Sequence, residues 1–130
     1  MFIKQTSYKF LFLIMAAFVL SSCSRDAVTD VKALEVASQS CFQASFSLAK
    51  SRYPNDFDKI NETFDFEVYR CMTWKILGSD AGPEAEKEVS QIFKTQCPFN
   101  GLNTIMKKDF VACLEKTATP LVLERNPKKG

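Results

Sequence analysis

The sequence predicts an all-α fold: a small four-helix antiparallel bundle stapled by two disulfides. Apolar residues recur at three, four and seven positions, and no stretch alternates with period two for long. Only four glycines interrupt the 130 residues. Breaks at Pro54, at Gly78 to Pro83 and at Pro98 to Gly101 divide the chain into four segments joined by short connections, which favours antiparallel neighbours. Cys41, Cys71, Cys97 and Cys113 fall on these segments or at their ends, with gaps of 30, 26 and 16 positions that suit bridges between separate helices.

Ahead of the bundle, Lys4 and Lys9 precede the apolar run "FLFLIMAAFVL" (Phe10 to Leu20), which gives way to the small residues Ser21 and Ser22. A positive start, a short apolar stretch and small residues before a cut describe an export signal over residues 1–22. A spanning helix needs about 20 apolar residues, and Arg25 and Asp26 come too soon for one. Residues 23–30 are a short polar tether, the bundle occupies 31–119, and 120–130 form a flexible tail ending in "ERNPKKG".

The first helix is expected from about Asp26 to Arg52, with Asp26 or Asp30 as its cap and Val31, Leu34, Cys41, Phe42, Ser45, Leu48 and Ala49 on its inner stripe. Pro54 stops it, because proline bars the preceding residue from helical geometry. The second starts near Asn55-Asp56 and runs to Leu77, with Gly78 as its stop. Phe57, Ile60, Phe64, Val68, Cys71 and Ile76 form its stripe, and Met72 and Trp74 widen it, which makes it the most buried helix. The third opens at Ser79-Asp80 before Pro83 and "EAEKE", placing proline and acids at the positive helix end. Val89, Ile92 and Phe93 are its core side, and Cys97-Pro98 ends it. After the turn at Asn100-Gly101, a fourth helix is expected from Thr104 to Thr117, burying Ile105, Met106, Phe110, Cys113 and Leu114 and closed by Pro120.

The residues Leu20-Ser21-Ser22-Cys23 resemble the lipobox of bacterial lipoproteins: an aliphatic residue, two small residues and a cysteine just past the apolar run. The resemblance covers the first 23 residues and leaves the family of the following domain open. It implies cleavage before Cys23, lipid on the Cys23 sulfur, and acylation of the new amino terminus with fatty acids such as palmitate. The chain has five cysteines. In an oxidising compartment an odd one must be free, intermolecular or otherwise occupied, and assigning Cys23 to lipid leaves four that can pair. A zinc site is disfavoured by the lack of a short C-x₂₋₄-C spacing and of histidine.

In a helical hairpin, facing cysteines lie equally far from the turn. The midpoint of Cys41 and Cys71 is residue 56, beside Pro54, so the preferred pairing is Cys41–Cys71 with Cys97–Cys113. The second pair is less comfortable, because Cys113 would lie roughly 14 Å along its helix. Cys71–Cys97 with Cys41–Cys113 remains the alternative, with one midpoint near Pro83. Each bridge would add roughly 3–4 kcal/mol for loops of these sizes.

Charge and composition narrow the function classes. Of 17 basic residues, Lys4 and Lys9 precede Cys23, so the mature part carries 15 basic against 15 acidic residues and a net charge of zero. No clustered basic face marks a nucleic-acid binder. With no histidine, His-based triads and the usual proton shuttle are excluded. "SLAK" (Ser47 to Lys50) has the spacing of a Ser-Lys dyad but lies inside the first helix without the accompanying motifs. "NDFDKINETFDFE" (Asn55 to Glu67) is acidic but lacks the glycine and residue order of a calcium loop. It reads as helix-start charge, or as a docking face for a basic partner made of Asp58, Glu62, Asp65, Phe66 and Tyr69. Phe46 and Phe66 fall off the helical stripes and are candidates for a partner patch or an apolar ligand cavity.

These readings converge on a non-catalytic envelope lipoprotein with no cofactor, tethered to a bacterial membrane and facing the periplasm, with the outer membrane as the expected host. Its expected work is binding a protein, as an immunity, assembly or exclusion factor of a secretion or conjugation system. The alternative is a helical carrier or sensor of an apolar ligand, and a secreted soluble form is the alternative location. A carrier would hold a cavity between its helices; a protein-binding plug would have a filled core.

Overall fold

The computed structural model of the chain describes residues 26–79, 81–102 and 106–126. The expected export signal and Cys23 lie outside the described residues, as do Asp80, Thr104, Ile105 and residues 127–130. Among the described residues the fold is all-helical, without strands. A 3₁₀ turn, Val31–Ala33, leads into α1 (Leu34–Arg52), followed by α2 (Phe57–Leu77), α3 (Pro83–Gln96) and α4 (Lys107–Arg125).

Local chemistry sets most of the boundaries. Asp30 caps the 3₁₀ turn, accepting from the Lys32 N–H at 3.0 Å. The first helix therefore starts at the later of its two candidate caps, and residues 26–29 are not helical. Part of the expected tether is in fact docked: the Val28 N–H donates to the Lys75 carbonyl at 2.7 Å, and its side chain packs on the core. Asp56 caps α2 through the Lys59 N–H at 3.2 Å. Gly78, at φ 73°, ends α2 in a conformation that side-chain-bearing residues rarely adopt. Pro83 begins α3, where its missing N–H costs no helical bond.

The fourth helix departs from expectation at both ends. It starts at Lys107, and Met106 is 68% exposed rather than part of the core. It also continues through Pro120 to Arg125, so 120–125 belong to the bundle and not to a flexible tail. Pro120 removes the N–H that would bond the Lys116 carbonyl. The turn beyond it buries Val122 and seats Leu121 against the core, and that burial offsets the break. Asn126 then closes the helix, its backbone N–H donating to the Val122 carbonyl at 2.9 Å.

α2 packs against each of the other three helices. Phe64, fully buried, lies at its centre with ring centroids 4.9 Å from Phe42, 5.1 Å from Phe99 and 6.2 Å from Phe110. Tilted and edge-on arrangements such as these suit the ring quadrupole. The side of α1 that meets α2 carries small residues: Ala37, Ser38, Cys41, Ser45 and Ala49 are all buried. They let the two backbones approach, and the Cys41–Cys71 disulfide spans α-carbons 5.5 Å apart. The second disulfide joins Cys97 to Cys113, with α-carbons 5.8 Å apart. Its axial difficulty is smaller than the sequence suggests. With α4 starting at Lys107, Cys113 lies six residues beyond that start, about 9 Å along the axis.

Two substitutions should act in opposite directions. Phe64→Ala leaves a cavity touching four other rings and should cost about 3–5 kcal/mol. Pro120→Ala restores a helical hydrogen bond at an exposed position and should gain about 1–3 kcal/mol. Urea unfolding with both disulfides intact checks both signs.

Candidate functional site

The expected partner face on α2 divides in two. Asp58 and Glu62 are exposed, Asp65 is half-buried and Phe66 is 59% exposed. Tyr69 is not on the surface at all: it is 2% exposed, and its hydroxyl donates to the Cys97 carbonyl at 2.5 Å. Its place in the expected face is thus corrected, because α2 is buried on the side that faces the end of α3. Burial, and then the neighbouring Asp65 carboxylate, push the Tyr69 phenol up to about 12, against a lowering from the Phe99 backbone. Burial also raises the Asp65 carboxyl, and the Lys94 ammonium opposes it.

The surroundings of Phe66 are not an acidic face either. Arg70 stands 5.3 Å from the Phe66 centroid and 4.7 Å from that of Trp74. The same guanidinium donates to Glu67 at 2.8 Å, and Arg52, from the last turn of α1, reaches Glu67 at 3.8 Å. Glu67 is only 7% exposed, so its charge is spent on joining α1 to α2. The shallow groove around Phe66 is lined by Arg52, Lys59 and Arg70 as well as Glu62 and Glu67. Its charge is mixed, three cations against two carboxylates with Glu67 paired to both arginines, which leaves little attraction for a basic partner.

A second groove, which the sequence marked only through the off-stripe Phe46, lies where α1 meets the start of α2. Phe42, Phe46, Phe57, Ile60 and Leu102 form its apolar surface, and it encloses about 480 Å³ while remaining open to solvent. Phe57 is 51% exposed despite its place in the expected core stripe, because it occupies the first turn of α2, ahead of the packed centre. The Leu102 N–H donates to the Asn61 side-chain oxygen at 2.9 Å, which holds the loop after α3 against α2 beside the groove. The charged residues lining it are both cations: Lys50, whose Nζ is 5.4 Å from the Phe46 centroid, and Lys107, 5.5 Å from that of Phe42. Sequence periodicity could not find this site, since its residues come from α1, α2, the first residue of α4 and a loop.

Among the described residues, no group of three or more His, Cys, Asp or Glu side chains is placed to hold a metal ion, and no helix is long and apolar enough to cross a membrane. "SLAK" lies on α1, as expected, with Ser47 and Lys50 exposed. No protein-family model matches the chain, nor does any curated protein or solved structure.

The buried Tyr69 phenol sets a pH dependence. Its folded pKa lies above its unfolded value, so its contribution to stability is complete below about pH 10 and is lost as pH rises toward 12. In an absorbance titration at 295 nm, a tyrosinate step at about 12 should vanish in Tyr69→Phe. The same substitution leaves the buried Cys97 carbonyl without its donor and should cost about 1–3 kcal/mol at neutral pH.

Proposed function

We propose that this chain is a non-catalytic envelope lipoprotein, tethered through lipid on Cys23, that binds a protein partner as an immunity, assembly or exclusion factor. The observation that carries the reading is the filled interior. The space between the helices is occupied by interlocking rings of Phe42, Phe64, Tyr69, Phe99 and Phe110, where a carrier of an apolar ligand would need a cavity. The apolar side chains left over, Phe57 and Phe66 among them, are presented outward on rigid helices, as a surface that recognises another protein requires.

The pairing of Cys41 with Cys71 and Cys97 with Cys113 leaves Cys23 for lipid, which supports the lipobox reading. Antiparallel packing of successive helices accompanies this reading, since the first two connections are short and Cys41–Cys71 straddles one of them symmetrically. The docking of Val28 also shortens the tether. At about 3.3–3.6 Å per residue, the five residue steps from Cys23 to Val28 can span at most roughly 18 Å, which would keep the proposed binding surfaces close to the bilayer. Anchoring by several acyl chains is stable where a single one is marginal.

Two measurements test the proposal. Metabolic labelling with an alkyne fatty acid should mark the wild-type protein and disappear in Cys23→Ser; persistent labelling would contradict lipidation at this residue. Chemical crosslinking in intact envelopes, with mass identification, should capture a specific protein. Recovery of bound lipid with no protein adduct would favour the carrier instead.

A further inference from the structure

We infer that the groove between α1 and the start of α2 is the partner-docking surface, and that it takes an acidic amphipathic segment of another protein. The inference rests on the protein-partner reading and reverses the charge expected of the partner, from basic to acidic. Phe42, Phe46, Phe57, Ile60 and Leu102 supply an apolar floor that can take side chains spaced along one stripe of a helix. Among the described residues, Lys50 and Lys107 are the charged groups lining it, and no carboxylate shares that lining.

Each ammonium lies over an aromatic ring of the groove itself. That contact holds the charge beside the apolar floor and leaves other N–H donors for an incoming carboxylate. Residues 23–130 carry 15 basic and 15 acidic residues and so no net charge, and this local positive field belongs to the groove and not to that part of the chain as a whole. The Phe66 groove differs in carrying two carboxylates among its cations, and one of them, Glu67, already pairs with both Arg52 and Arg70.

An acyl chain fits less well. A small-molecule site encloses about 70–90% of its ligand's surface, and this groove stays open along its length. A protein segment covers such a groove with its own bulk, excluding water around the apolar contacts.

The test uses the full chain in nanodiscs of zwitterionic lipid and two fluorescein-labelled amphipathic peptides. These share one Leu stripe, flanked by Glu in one and by Lys in the other. In anisotropy titrations the Glu peptide should bind at least tenfold more tightly than the Lys peptide, and Lys50→Glu with Lys107→Glu should invert that order. Both lysines are exposed, and an unchanged circular dichroism melt confirms that the double variant folds. Phe57→Ser should weaken the Glu peptide by a similar factor. Equal binding of the two peptides, or an order that survives charge reversal, overturns the inference.

A photo-crosslinking residue at position 57 or 66, used in intact cells, separates this inference from the broader proposal. A protein adduct from position 57 that is lost on charge reversal supports both. A protein adduct from position 66 with none from 57 overturns the groove and leaves the partner-binding proposal standing. A lipid adduct from 57 with no protein adduct at either position overturns both.

Discussion

α2 is buried over much of its circumference, and the other helices are arranged to cover it. Eleven of its 21 residues are buried, more than a single stripe facing one neighbour would provide. α1 covers it along the seam of small residues, α3 covers the Tyr69 side, and α4 brings Phe110 against Phe64. The two disulfides fit this arrangement: one fastens α1 to α2, and the other fixes the end of α3 to α4. Tyr69 links the two halves, because its hydroxyl donates to the carbonyl of Cys97 at the second bridge. For a domain of this size, with a net stability of about 5–15 kcal/mol, two such bridges remove a substantial part of the unfolded chain's freedom.

A centre filled in this way decides where recognition can occur. Rings packed around Phe64 fill the space between the described helices, so the proposed binding would fall to the edges of the bundle. Two edges expose aromatic residues, and their electrostatics differ. Around Phe66, Arg52, Arg70 and Glu67 pair among themselves and tie α1 to α2. Around Phe46 and Phe57, two lysines face solvent over an apolar floor. Paired charges add little to attraction at a distance, whereas unopposed ones steer a complementary partner and fix its orientation.

Much of the fold was legible in the sequence because its signals are local. Asp56 with Gly78, and Pro83 with Cys97, bracket α2 and α3 where cap and stop chemistry place them. The turn-centred spacing of Cys41 and Cys71 likewise corresponds to the observed bridge. What was not legible depends on tertiary contacts. Pro120 reads as a stop, but the burial of Val122 carries α4 past it. Tyr69 reads as a surface aromatic beside carboxylates, and only the end of α3 shows that it is enclosed. The groove could not be read from one helix, since Phe46, Phe57 and Leu102 meet only when α1, α2 and a loop are assembled.

The central claim is that α2 is the element on which the bundle's stability depends. Native-state hydrogen exchange, resolved by residue, tests it most directly. The amides from Phe64 to Met72 should exchange only through global unfolding, with the largest protection in the chain, while α3 and the turn after Pro120 open at lower free energy. Protection in α2 no greater than in α3, with the slowest amides confined to α1 or α4, would contradict the account.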